Sequence, residues 1–420
     1  MKRQTKNKTW GILPVALLTM VCSCSDGEKI DEPEVDQPAQ PIVLTTRGAE
    51  AARQLTGFYP VLTQDVAALI DGENQSDNGN FVISPLSASI VLAMTGNAVG
   101  SELCDEITGY LGTEDLQGMN ELASALLESL PGVDRKTTLA LANSVWVNDI
   151  YTLNDTYAGL VSGTYNSDID YFNAGKIEET ISRINSWCSR NTDGMITGYM
   201  TGLNLNPMTK AVLLNAMNFR SEWRNEELFD ANSTEKGVFN GRNGISEASM
   251  MKTGQRSMTG IVEDDYTYVM LPLGNGAFNF EVLMQGDETT EGLSGQLSEA
   301  RKNADVYTKA TLVMPKFKVE KELVLNDVLA SKGLSHLGDV NDLTLFTTEE
   351  RGLIQFRQKT LLEVDEKGAK AASVSSSEIQ DTFMPDFSEP IEINIDRPFM
   401  FFITESSTGA CVVSGRITDL

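Results

Sequence analysis

One histidine, His336, is all the imidazole in this 420-residue chain. Ser-His-Asp and Cys-His machinery needs an imidazole to carry the proton, and His336 lies in "SKGLSHLGDV" with no nucleophile motif beside it. GxSxG, HExxH and GxxxxGK[ST] are missing too, which removes the hydrolase elbow, the zinc protease and the P-loop NTPase as readings. Basic charge is scarce: 33 Lys plus Arg stand against 59 Asp plus Glu, a formal net charge of −26. Such a surface repels phosphate backbones, so nucleic acid is not an expected partner. Five cysteines form no CxxC and no disulfide framework, so Cys104, Cys188 and Cys411 read as packing residues. "DGENQSDNGN" lacks the closing Glu of a calcium loop, and the glycines of "LGNGAF" serve a hairpin. No metal, no cofactor and no catalytic role are expected.

What is present begins with a leader. Lys2, Arg3, Lys6 and Lys8 precede the apolar run "GILPVALLTMV", too short to span a bilayer, as in an export signal. The following "VCSC" resembles the bacterial lipoprotein box, with Ser23 before a lipidated Cys24. Residues 1–23 are then the removed signal. Residues 24–47, acidic and containing several prolines, cannot bury enough surface to fold and read as a tether. Its acidic start resembles the surface-export signals of some Gram-negative lipoproteins. The expected place is the cell envelope, on the outer membrane, held by the lipid alone.

Beyond the tether, apolar residues at helical spacing dominate as far as residue 135, as in "SASIVLAMTGNAVG" and "SELCDEITGYLG", with glycines closing each run. Strand patterns then take over. "TTLALANSVWVN" and "DVYTKATLVMPKFKV" alternate, "KAVLLNAMNF" is a buried run, and "YTYVMLPLGNGAFNFEVLM" is a hairpin. One helix, near 177–192, interrupts them, and two strands around a Ser-Thr-Gly turn end the chain. With no repeat and no second linker, residues 48–420 read as one α+β domain.

Seven motifs in order resemble the serpins. They are "NFVISPLSASIVLAMTGNAVGSE" (80–102), "LANSVWV" (141–147), "INSWCSRNTDGMI" (184–196), "LLNAMNFRSEW" (213–223), "MPKFKVE" (314–320) and "EVDEKGAKAAS" (363–373), with "DRPFMFFITESSTGACVVSGRI" (396–417) completing the series. The resemblance implies a large mixed main sheet, two smaller sheets and an exposed reactive-centre loop at about 366–390. It implies an inhibitor that traps its protease: the cut loop enters the main sheet as a strand and carries the acylated enzyme with it. The partner would be a serine or papain-like cysteine protease, bound covalently by a monomer. The alternative is a non-inhibitory binding protein on the same fold.

The resemblance also places residues. Glu366, Gly368, Ala369, Ala371, Ala372, Ser373 and Ser375 would form the hinge. Ser84, Ser87, Asn215 and Gln358 would form the shutter, and Trp223 the breach where insertion starts. A strand alternates between faces, so Ala369, Ala371, Ser373, Ser375, Ser377 and Ile379 would enter the core, while Lys370, Ala372, Val374, Ser376 and Glu378 face outward. The inward set is small until Ile379. Three residues depart from the family's pattern: Ala369 for Thr or Ser, Lys370 for Glu, and Gln358 for a frequent histidine. Counting on from Gly368 lands on Thr382, and counting back from "DRPF" lands near Phe387; with the extra residues expected after the bond, the cleaved bond falls at Thr382-Phe383 or Phe383-Met384, since Pro385 makes cleavage after Met384 poor. Neither bond suits trypsin, because residues 371–396 hold no Lys or Arg.

Overall fold

The computed structural model describes residues 38–73, 79–198, 209–286, 290–334, 353–369 and 389–420. In chain order these form α1 (Thr46–Glu73), β1 (Phe81–Ile83), α2 (Pro85–Gly96), α3 (Ser101–Leu111), α4 (Leu116–Ser129), β2 (Thr137–Asn148), α5 (Asp155–Thr164), β3 (Ser167–Phe172), α6 (Ile177–Asn191) and β4 (Thr209–Glu222). Then come β5 (Glu235–Gly241), β6 (Gly244–Lys252), β7 (Arg256–Val262), β8 (Tyr266–Leu273), β9 (Phe278–Gln285), α7 (Leu293–Asn303), β10 (Asp305–Pro315), β11 (Phe317–Val324) and α8 (Leu325–Ser331). The last strands are β12 (Leu353–Asp365), β13 (Gly368–Ala369), β14 (Ile391–Asn394), β15 (Phe399–Glu405) and β16 (Cys411–Ile417).

Among the described residues the strands make two sheets. The main sheet runs β11-β12-β13-β4-β2-β3 and is mixed, with β12 parallel to β4 and β2 parallel to β3. The second runs β1-β16-β15-β9-β8-β7-β10-β6-β5, with β14 parallel to β10. It joins the two smaller sheets expected from the sequence, because β10 pairs β7 with its first half and β6 with its last, across a shift in register after Tyr307.

Strand alternation decides what each face of the main sheet touches. In β4, Ala211, Leu213, Met217 and Phe219 enter the large core beneath the sheet. Val212, Leu214 and Ala216 face the other way, into a smaller cluster under α6 with Trp146, Ile184 and Trp187. Both faces are covered, which is why this strand reads as one apolar run and not as an alternation. α2 is buried on every side, so its apolar residues show no stripe; Ser84 caps its N-terminus and Pro85 takes the first turn, where a missing N–H costs nothing.

Two sequence expectations change. "DVYTKATLVMPKFKV" is not one strand: β10 ends at Pro315, which cannot donate to a ladder, and β11 starts at Phe317 in the other sheet. The packed chain also starts before residue 48. Ala39, Ile42 and Leu44 pack against the core, and the Ile42 N–H donates to Ser407 Oγ at 3.0 Å. Residues 24–37 of the expected tether lie outside the described residues, as do the signal and Cys24.

Candidate functional site

The centre of the main sheet is open between β4 and β12. At one end the two strands pair directly, Ile354 with Ala211 through to Arg357 with Leu214. At the other end β13 stands between them. Gly368 pairs with Asp365 and Glu222, and Ala369 with Val364 and Ser221. From Asn215 to Arg220 on β4, and from Gln358 to Glu363 on β12, no described residue joins the strands. This column is the parting line.

Gly368 makes the wedge possible. Its φ is +139°, and a Cβ there would meet Ser221 O at 2.2 Å and Glu222 Cα at 2.7 Å, so any side chain would clash with the strand it must lie against. Ala369 follows with its methyl in the core, fully buried.

The turn before Gly368 is pinned from three directions. Trp223, fully buried, donates its backbone N–H to Lys367 O at 3.2 Å and its indole N–H to Asp365 O at 3.0 Å. Its ring meets Phe229 and Phe280 edge to face, each at 5.6 Å, a geometry that adds to apolar burial. Glu366 accepts a bond from Thr234 Oγ1 at 2.6 Å and pairs with Lys316 Nζ at 2.6 Å. Burial pushes its carboxyl up, but the Lys316 and Thr234 contacts outweigh that and hold it below the ordinary carboxylate range. Beside the wedge, Ser221 Oγ and Thr137 Oγ1 share a bond of 2.6 Å, and Glu222 is pushed up by burial and by Glu226.

Deeper along the parting line, inward polar residues flank the column. On the β12 side Gln358 clamps the start of α2: Nε2 donates to Ser84 O at 2.9 Å, and Oε1 accepts the Ser84 N–H at 2.8 Å. Ser84 Oγ in turn donates to Ser87 Oγ at 2.8 Å and accepts the Ser87 N–H at 3.2 Å. On the β4 side Asn215 Nδ2 donates to Asn143 Oδ1 at 2.8 Å, and Asn143 Nδ2 donates to Tyr165 O at 3.0 Å. Ser84, Ser87 and Gln358 therefore meet, whereas Asn215 is tied to β2.

Ala371, Ala372, Ser373, Ser375, Thr382, Phe383, Met384 and His336 lie outside the described residues. The sequence reading missed Asn143, Lys316, Thr234 and Tyr165. Asn143 alone carried a signal, an amide on the face of β2 that turns Leu139, Leu141, Val145 and Val147 to the core. The described cysteines are unbonded to one another. Burial pushes the Cys188 thiol up to about 12, which keeps it inert.

A model of the serpins, serine protease inhibitors, matches residues 65–420. The chain belongs to the serpin family. Serine protease inhibitor 42Dd of Drosophila melanogaster is 29% identical over 340 residues, 79% of this chain and 89% of that protein. The native-state structure of the thermophilic serpin Tengpin superposes with a TM-score of 0.75 at 25% identity, covering 91% of this chain and 98% of that one. Human thyroxine-binding globulin, solved with its hormone, gives a TM-score of 0.75 at 22% identity, covering 89% and 99%. The last likeness concerns the fold alone. Serpins are as a family protease inhibitors and not catalysts, and some are non-inhibitory.

Proposed function

We propose that this serpin inhibits a serine protease, or a papain-like cysteine protease, by suicide trapping. The observation that carries the reading is the seat of Gly368 and Ala369 as a strand between β4 and β12, antiparallel to both. Extended down the parting line, that register sets position 371 opposite Phe219 and Leu362, 373 opposite Met217 and Thr360, and 375 opposite Asn215 and Gln358. Those flanking residues are all buried. The chain supplies small groups to match: Ala371 between two large apolar residues, and Ser375 between two amides.

In this mechanism the protease's nucleophile attacks the carbonyl of Thr382 or Phe383. The loop is severed as an acyl-enzyme, and Gly368 to Ser376 descend as the new strand. Glu366 and Trp223 hold the entry, Ser84, Ser87, Asn215 and Gln358 line the path, and Ala372 faces outward. The serpin works as a monomer without a cofactor. Lipid on Cys24 would hold it at the outer membrane, facing outward.

Incubation with chymotrypsin, elastase and trypsin, followed by a denaturing gel, tests the proposal. A covalent complex is expected with an elastase-like or chymotrypsin-like enzyme and not with trypsin. Clean cleavage without a complex for every protease tried would replace it with the non-inhibitory binding protein. A new N-terminus outside Phe383 to Pro385, read by mass spectrometry of the released fragment, would overturn the placement of the bond.

A further inference from the structure

The two ends of α2 are tied to opposite sides of the parting line. Its N-terminus is held to β12 by Gln358, as above. Its C-terminus is held to the β2–β3 side through α5. Met94 O accepts the Tyr157 hydroxyl at 3.2 Å. Asn97, which caps α2, exchanges bonds with Asn120 of α4, donating at 2.9 Å and accepting at 3.1 Å, and Asn120 Oδ1 also accepts the hydroxyl of Tyr165. Tyr165 ends α5 just before β3, is fully buried, and holds Asn143 of β2 through its carbonyl. A continuous run of side-chain bonds thus leads from Asn215 on β4 to the helices beneath the sheet.

Admitting another strand means parting β4 from β12 by about 4.8 Å. A hydrogen bond is lost after a stretch of about 0.5 Å. α2 therefore cannot keep both ends. Letting go at Gln358 would leave the Ser84 N–H and both ends of the Gln358 amide without partners in the core, although Ser84 O would keep the Ala88 N–H at 3.1 Å. Letting go on the α5 side frees two hydroxyls, that of Tyr157 from Met94 O and that of Tyr165 from Asn120 and from the Asn97 Nδ2 that donates to it at 3.4 Å, while Asn97 and Asn120 stay bonded to each other.

We propose that the Tyr165 hydroxyl, with its bond to Asn120, is a second latch on the main sheet, the one that yields when the loop enters. It rests on the trapping reading above. Tyr165 acts at a distance from the reactive bond and touches no protease; it sets how readily the sheet parts.

The test is Tyr165→Phe, which keeps the ring and removes the hydroxyl. Tyr268→Phe is the control, since that buried hydroxyl bonds Glu281 at 2.7 Å within the second sheet. Two quantities are measured: the rate at which the intact protein takes up a synthetic peptide with the sequence of residues 369–381, and the Tm of the intact and loop-cleaved forms. Tyr165→Phe should take up peptide about five-fold faster, the effect of one neutral hydrogen bond. Its intact form should melt about 2 °C lower, with the cleaved form unchanged. Tyr268→Phe should lower both forms alike and leave uptake as in the wild type. Equal losses in both forms of Tyr165→Phe, or an unchanged uptake rate, would overturn the latch. A wild-type Tm that does not rise on loop cleavage would instead overturn the trapping reading, and the latch with it.

Discussion

Ala371→Arg tests the insertion register where the structure makes it least forgiving. Extended from Gly368 and Ala369, the register places position 371 opposite Phe219 and Leu362, which are 4% and 2% exposed. On that face lies the large apolar core, and a guanidinium there would be an unpaired buried charge, at about 3–5 kcal/mol. If about 2 kcal/mol of this is felt while the strand is entering, insertion slows about 30-fold. The acyl-enzyme's hydrolysis is unaffected, so the partition shifts by the same factor and a trap becomes a substrate. Titrating the target protease against wild type and variant measures the serpin consumed per enzyme inactivated. It should rise several-fold, from about 1.1 to about 4 or from about 1.3 to about ten, with cleavage of the loop as fast as before. Ala371→Ser, small enough for the same slot, should keep the wild-type value. An Ala371→Arg serpin that still traps at wild-type stoichiometry would refute the register.

Two further outcomes follow from the contacts described, and a third from the resemblance of "VCSC" to a lipoprotein box. Glu366 has a lowered carboxyl pKa, so its contacts stabilise the hinge above the unfolded value of about 4.3 and are lost as pH falls through the lower folded value; Glu366→Gln should flatten the acid limb of a melting profile between about pH 3 and 7, and parallel profiles would refute this. Gln358→Glu would put a carboxylate oxygen against Ser84 O, acceptor facing acceptor. Its folded pKa should therefore be raised, so the variant is most stable at acid pH and loses stability as pH rises, an order that melts across pH would show to be wrong if reversed. Cys24→Ala should move the protein from the membrane fraction to the supernatant, and continued sedimentation with membranes would refute lipidation there.

Local patterns made much of this molecule legible in its sequence. Seven motifs in order named the fold, and of the hinge residues that two-residue alternation sends inward, the one described, Ala369, does face the core. What escaped were contacts between distant segments. Asn143 meets Asn215 only because β2 and β4 run antiparallel with that pair in register, a relation that neither segment's pattern contains. Lys316 reaches Glu366 because the chain changes sheet just after Pro315, in a stretch whose alternation runs on unbroken across the break. Ile42 and Leu44 were read as tether because the prolines and acids around them dominate the composition, although apolar side chains this close to α1 can pack under it.

On the trapping proposal, chain length would require the loop to be cut before it enters, and this yields a last prediction. In the register of β13, the column from Glu222 to Thr209 takes residues 368 to 381, thirteen steps of ~3.3 Å or about 43 Å. Its last member directly precedes Thr382, where the bond is expected. The far end of the loop is held by β14, whose Asn394 pairs with Val313, three residues before the Lys316 that binds Glu366. That anchor lies at the entry end of the column. An uncut chain whose residue 381 had reached the bottom would have ten steps left to return to Ile391. At the limit of ~3.6 Å per residue these span about 36 Å, short of the 43 Å needed even along a straight line. On that proposal an intact loop would stop at its hinge unless β14 peeled from β10, and cleavage would remove the restriction. Inserting about ten Gly and Ser residues after Met384 should lift it without a cut, because the return path then reaches about 70 Å. The extended protein should pass on warming to a heat-resistant form that no longer traps protease, while the wild type under the same treatment stays active. An extended loop that leaves activity and Tm unchanged would show that the barrier lies in parting the sheet and not in the length of the chain.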